Sequence, residues 1–106
     1  MILVIGGRNQ GKSTFIKEKF PDKTIINEFH YIIKNAIEEG KDIEAVIKKA
    51  MEDADIIVCD DIGSGIIPID KEEDLWREET GRALCKIASK ADEVYRVVVG
   101  IAQKIK

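Results

Sequence analysis

The chain opens on a short apolar run, MILVI, and passes at once into a glycine-bracketed loop, GGRNQGKS, at residues 6–13. That junction constrains the fold more than any other feature. A brief β-branched run of this kind reads as a strand buried on both faces. Gly6, Gly7 and Gly11 permit torsions that other residues resist, so successive loop N–H groups can turn inward and form an anion nest. Residues 12–20 then read as a short helix that Pro21 terminates. A strand that feeds a helix through such a loop belongs to a sheet with helices packed against it.

The loop satisfies G-x-x-x-x-G-K-[ST] from Gly6 to Ser13. An incidental glycine turn with a surface lysine is the competing reading, and the strand–loop–helix context argues against it. The expected cradle for the phosphates of ATP or GTP comprises Gly6, Gly7, Arg8, Asn9, Gln10, Gly11, Lys12, Ser13 and Thr14. The helix N-terminus adds its partial positive charge. Lys12 should reach the β- and γ-phosphates, Arg8 could touch the γ-phosphate, and the Ser13 hydroxyl should ligate Mg²⁺.

Strands and helices alternate along the rest of the chain. Residues 23–26 read as a second strand, followed by Asn27 as a helix N-cap and Glu28 at the positive end of the helix dipole. Phe29, Ile32, Ile33, Ala36 and Ile37 recur at helical spacing before the stop at Gly40. Asp42 caps a third helix with Ile43, Val46, Ile47, Ala50, Met51 and Ala54 on its apolar face. Residues 55–60 read as a central strand, 62–69 as a loop holding Gly63, Gly65 and Pro68, and 70–91 as a long charged helix. The inner face expected for that helix is Thr80, Leu84, Ile87, Ala88 and Ala91. Residues 94–99 form the last main strand, and 101–106 a short tail that can serve as an edge strand. This order predicts an α/β fold, a three-layer parallel sheet with P-loop NTPase-like topology, as one nucleotide-binding domain over 1–106. Ligands of such sheets bind at the carboxyl ends of the strands.

Composition excludes other classes. With 44% apolar and 35% charged residues the chain is globular rather than disordered, and its net charge of −3 excludes a nucleic-acid binder driven by bulk charge. The longest apolar run, 1–5, is far short of the ~20 residues of a membrane span. No basic-then-apolar signal segment opens the chain. Cys59 and Cys85 have no metal spacing and imply a reducing cytoplasm, with Cys59 as buried strand packing.

Asp60 and Asp61 end the central strand beside the expected phosphates. Two adjacent carboxylates there call for a cation, so Asp60 is the candidate Mg²⁺ contact. Asp61 is the candidate general base toward an attacking hydroxyl, or a loop cap. His30, the one histidine, is either a nucleophile near the nucleotide or a structural residue at the helix start. Glu28 is a further candidate contact to Mg²⁺ or to a hydroxyl. Trp76 could meet a large flat ligand or lie in a subunit interface.

Three stretches together resemble one family: MILVIGGRNQGKS at the start, IGSGIIPID at 62–70, and WREETGRALCKIASKADEVYRVVVGIAQKIK at 76–106. They are similar to the adenosylcobinamide kinase/adenosylcobinamide-phosphate guanylyltransferase family. The resemblance implies a parallel α/β P-loop sheet and a nucleotide-dependent enzyme of coenzyme B12 assembly. Such an enzyme phosphorylates the aminopropanol hydroxyl of adenosylcobinamide, then transfers GMP to that phosphate through a guanylylated histidine. By the same resemblance Gly6, Gly11, Lys12 and Ser13 bind the nucleotide phosphates. Asp61 stands where the family has Glu, Gly63, Gly65 and Pro68 match its loop, and Arg77, Gly81 and Arg82 match its helix. The chain departs from the pattern between the second strand and Asp55, where the family carries its guanylylated histidine, and at Leu84-Cys85, where it has Asn-Gln. It resembles a compact variant.

The expectation is a Mg-nucleotide-dependent kinase for a corrinoid alcohol, with Lys12, Asp61 and His30 as catalytic candidates. A nucleotide-binding regulator that lost its catalytic segment, and a guanylyltransferase acting through His30, are the alternatives. A site for so large an acceptor in so small a chain implies a homo-oligomer, a trimer by resemblance.

Overall fold

The computed structural model describes residues 1–62 and 70–106, so the expected loop contacts of Gly63, Gly65 and Pro68 lie outside the described residues. The elements are β1 (Ile2–Gly6), α1 (Lys12–Lys19), β2 (Ile25–Ile26), α2 (Phe29–Glu38), α3 (Ile43–Asp53), β3 (Ile56–Asp60), α4 (Lys71–Lys90), β4 (Glu93–Val98) and β5 (Ile101–Lys104). The described strands form one sheet in the order β2-β3-β1-β4-β5. The first four run parallel, whereas β5 is antiparallel to β4. The expected α/β fold with P-loop NTPase-like topology is therefore present, with the tail as its antiparallel edge.

Why the strands are buried on both faces follows from the two cores. Leu3, Ile57, Cys59 and Val94 face α2, α3 and α4 with Phe29, Ile33, Ile47 and Ile87. Val4, Ile56, Val58 and Val97 face α1 through Ile16, with Phe15, Phe20 and Tyr95 closing the layer. The alternation along each strand sends successive side chains to opposite faces, as the pleat dictates. Each large apolar side chain fully buried here contributes roughly 1.5–3 kcal/mol.

Local details depart from expectation for identifiable reasons. Asn27 is not the cap of α2. That helix starts one residue later, with Glu28 as N-cap in the left-handed region (φ 51), while Asn27 Oδ1 accepts from the Glu28 amide at 2.9 Å. The second strand is shorter than 23–26, because Thr24 instead serves Asp55: the Thr24 amide and hydroxyl each donate to Asp55 Oδ2 at 3.0 Å. On α4, Ala83 is buried with Thr80 and Ile87, and Leu84 and Ala88 are only partly buried. Asp42 accepts from Glu44 N as the sequence predicts, whereas Asp70, read as the first residue of its helix, is the N-cap of α4 and accepts from Glu73 N.

The helix after β1 lies on one face of the sheet and the helix after β3 on the other. The crevice between the carboxyl ends of β1 and β3 is thus the topological switch point, where open α/β sheets take ligands. Gly6 and Asp60 are register partners at that point.

Candidate functional site

Lys12 is the hub of the crevice. It begins α1, yet its side chain turns back and is only 9% exposed. Its ammonium donates to the Gly7 carbonyl at 2.6 Å and the Gly6 carbonyl at 3.2 Å. It also lies 2.8 Å from Asp60 Oδ1. A buried ammonium needs such partners, because desolvation of an unpaired charge is expensive.

Backbone torsions shape the loop ahead of it. Gly11 is the N-cap of α1 at φ 95, a conformation that side chains resist, and Asn9 also adopts positive φ. Gly6 is required by contact rather than by torsion, since a Cβ there would run into the carbonyl of Val97 on β4. The first turn of α1 contains no acidic residue, and its amides lack intrahelical acceptors. The positive end of the helix dipole is therefore available to an anion.

A cavity of about 490 Å³ opens over this loop. Its walls include Arg8, Asn9, Gln10, Gly11, Lys12 and Ser13 on one side, and Asn27, Glu28, Tyr31, Val58 and Asp60 on the other. The structure thus brings together most of the residues singled out in the sequence. Gly6, Gly7, Thr14, His30 and Asp61 do not line it. Gly6 and Gly7 contribute carbonyls to Lys12 from behind, and the Asp61 amide donates to Gly6 O at 3.0 Å. Gln10 faces the β4–β5 hairpin as well as the cavity. Its Oε1 accepts from the Val99 amide and its carbonyl from the Gly100 amide, both at 2.8 Å.

His30 sits behind Asp60, 2% exposed. Its Nδ1 accepts from the Asp60 amide at 3.1 Å, and its Nε2 is 3.6 Å from Asp60 Oδ2. Burial lowers its pKa below the ordinary histidine value, against the upward pull of Asp60 and Glu28 and with a further lowering by Lys12. Because Nδ1 accepts from the Asp60 amide, the proton of the ring is on Nε2. The Trp76 indole N–H donates to the His30 carbonyl at 2.7 Å, tying α4 to the first turn of α2. This use of Trp76 was not visible in the sequence, because nothing in residue spacing pairs α4 with that carbonyl. Tyr31 stacks on Trp76 at 6.0 Å, and the Lys34 ammonium lies 4.9 Å from the Trp76 ring centroid. Arg77 Nε donates to the Ile62 carbonyl at 3.0 Å, holding the segment that leaves β3. Cys59 is buried, and its thiol pKa is pushed up to about 12, first by desolvation and then by the neighbouring Asp60 charge.

The residues lining the cavity include carriers of hard oxygens: Asp60, Ser13, Asn27 and Glu28. Such a set suits Mg²⁺. The Lys12 ammonium already stands as a cation against Asp60 Oδ1. Among the described residues no three His, Cys, Asp or Glu side chains gather as a complete cage. A cation here would accordingly rest on few protein oxygens, with phosphate and water completing its shell, which is the usual habit of Mg²⁺. No described helix is long and apolar enough to cross a membrane.

Comparison with known proteins places the chain in a family. The bifunctional adenosylcobalamin biosynthesis protein CobU of Salmonella typhimurium is 39% identical over 51 residues, covering 48% of this chain. The match spans 28% of that relative's own length. A family model described as cobinamide kinase / cobinamide phosphate guanyltransferase matches residues 25–105. That stretch runs from β2 to the end of β5 and contains the Asp60 wall of the crevice, so the chain belongs to the cobinamide kinase / cobinamide phosphate guanyltransferase family.

Proposed function

We propose that this chain is a nucleoside-triphosphate-dependent kinase that phosphorylates the aminopropanol hydroxyl of adenosylcobinamide. The observation that carries the reading is the Lys12–Asp60 pair at the switch point, set in a cavity walled by the phosphate loop. Family membership supplies the acceptor class.

In this reading the loop amides and the first turn of α1 hold the phosphates of ATP or GTP. Lys12 exchanges the Gly6 and Gly7 carbonyls for β- and γ-phosphate oxygens, and Arg8, on the same loop, reaches the γ-phosphate. Thr14 extends the cradle into the helix. Ser13 and Asp60 hold Mg²⁺, which neutralises phosphate charge when bound. Asp61, the exposed residue after Asp60, takes the proton from an attacking hydroxyl that approaches from outside the cavity wall. Catalysis is then mostly positioning and charge neutralisation.

The cavity is of the size that suits one compact ligand. A corrinoid acceptor must extend past its rim, so a second copy of the chain completes the acceptor site, and the working form is a homo-oligomer in the cytoplasm. Light scattering at micromolar concentration tests that part, and a monomeric mass counts against it.

The decisive assay incubates the protein with Mg²⁺, ATP or GTP, and adenosylcobinamide, and reads products by mass spectrometry. Phosphorylated product that disappears in Lys12→Ala supports the proposal. A GMP-bearing product from adenosylcobinamide phosphate would show that guanylyl transfer is retained. Nucleotide binding without any transfer would replace the kinase reading with a non-catalytic, regulatory one.

A further inference from the structure

The end of β3 has a gap in its hydrogen-bond ladder, and His30 fills it. The Ile56 amide donates to the Thr24 carbonyl, so the even-numbered amides of β3 face β2. The Asp61 amide donates to Gly6 O, so the odd-numbered ones face β1. The last β2 residue, Ile26, pairs with Ile57. By Asp60 the neighbouring strand has ended, and its amide has no strand carbonyl opposite. The His30 ring nitrogen takes that place at 3.1 Å. A buried amide without an acceptor is strongly disfavoured, and a side-chain acceptor is the ordinary remedy.

The same geometry bears on what His30 can do. A histidine that accepts a guanylyl group must present an open lone pair to phosphorus. Here the Nδ1 lone pair is committed to the Asp60 amide, Nε2 carries the proton, and the ring is buried outside the cavity wall. Its position is held from the far side by the Trp76 indole N–H on the His30 carbonyl.

We propose that His30 is a positioning residue: it fixes the backbone at Asp60, so that the carboxylate faces Lys12 and the cavity, and takes no part in covalent transfer. A line of contacts then runs from Trp76 on α4 through His30 and Asp60 to Lys12 in the phosphate loop. The proposal rests on the nucleotide reading only for the functional consequence, since the contact itself can be measured without ligand.

The test combines a direct reading of the bond with three variants. In labelled wild-type protein, NMR should detect scalar coupling between the Asp60 amide nitrogen and His30 Nδ1 across the hydrogen bond, and the Nε2–H tautomer. His30→Asn places an acceptor oxygen near the site of Nδ1. His30→Gln places one near Nε2, and His30→Leu provides none. Affinity for Mg-nucleotide should fall about tenfold or more in H30L and H30Q, with H30N recovering most of the loss, as expected when a buried donor loses or regains its acceptor. Circular dichroism shows whether each variant is folded. If H30L does not fold, H30N against H30Q decides.

No coupling in the wild type would overturn the proposal. So would H30L binding nucleotide as the wild type does, or a guanylylated His30 after incubation with GTP. If the wild type binds no nucleotide, the proposed function fails by itself. The inference is then decided by the coupling, and by whether H30L, unlike H30N, exposes the Asp60 amide to hydrogen exchange.

Discussion

Lys12 Nζ and Asp60 Oδ1 lie 2.8 Å apart, joining the phosphate loop after β1 to the end of β3. The lysine thus serves as the counter-ion of Asp60 at the switch point, and a phosphate or a cation bound there competes for one of the two partners. Lys12→Ala should destabilise the fold by about 1–3 kcal/mol, the size expected for a partly buried charge-assisted contact. A double-mutant cycle with Asp60→Asn should return a coupling of about 1–3 kcal/mol. Mg²⁺ should raise the Tm of Lys12→Ala more than that of the wild type, because it no longer competes with the ammonium for Asp60. Additive effects of the two substitutions would show that the pair is not energetically coupled.

Asp55 gives a pH dependence with a definite sign. Its carboxylate is held below the ordinary aspartate value of 3.8, first by the Thr24 amide and then by the Thr24 hydroxyl. A folded-state pKa below the unfolded one means that the ionised carboxylate favours the native state. That contribution is complete above the unfolded value and disappears as pH falls through the depressed folded one. The stability difference between the wild type and Asp55→Ala, measured by urea unfolding, should therefore be greatest near neutral pH and shrink under acid conditions. A difference independent of pH would place the effect in packing instead.

The two cysteines should separate cleanly in thiol labelling. Cys59 is 0% exposed with its pKa pushed up to about 12, whereas Cys85 lies exposed on α4. Thiolate is the reactive species, so an alkylating agent at neutral pH should modify Cys85 in native protein and Cys59 only after unfolding. Peptide mapping before and after denaturation reads this directly. Early labelling of Cys59 would mean that β3 opens far more readily than a central strand should.

How far the sequence speaks differs between its parts. The phosphate loop, the central strand ending in Asp60 and the amphipathic helices are written in local pattern, since glycine spacing and apolar period are properties of neighbouring residues. So is the cap Asp42. What local pattern cannot carry is contact between distant segments. The His30 ring beneath the Asp60 amide, the Trp76 indole on the His30 carbonyl and the Gln10 grip on the Val99–Gly100 turn depend on which strand lies next to which. The cap of α2 was misplaced because Asn27 is a good cap by type, whereas Glu28 adopts the left-handed turn into the helix. Ala83 was missed on the inner face of α4 because an alanine carries little apolar signal, although its small size suits close packing.

The turn between β4 and β5 stores strain that can be relieved. Val99 and Gly100 adopt φ 44 and 78, the double left-handed pattern of a tight two-residue hairpin. Glycine suits the second place, but a β-branched valine at the first is costly, and Val99 is 75% exposed with little packing in return. Val99→Asn should stabilise the protein by about 1 kcal/mol, since asparagine tolerates this region. Thermal unfolding measures it. A lower Tm would show that the valine side chain has a partner worth more than the strain, such as a neighbouring copy of the chain.

Gly6 offers the sharpest test of how sheet and site are built together. It is the last residue of β1, the register partner of Asp60 on one side and Val97 on the other. A methyl group there would meet the carbonyl of Val97, which is backbone and cannot swing aside. To relieve the overlap, β1 would have to move away from β4 at the point where the Gly6 carbonyl receives the Lys12 ammonium and the Asp61 amide. Gly6→Ala should therefore lower stability by about 3 kcal/mol, at the upper end for overpacking, because the obstacle is rigid. It should also weaken nucleotide binding in whatever folded fraction remains. Gly7→Ala is the control: its added methyl would make only ordinary contact, 3.4 Å from Gln10 Cγ. Equal loss of stability in the two variants would mean that loop flexibility, and not the close approach of β1 to β4, is what glycine provides at position 6.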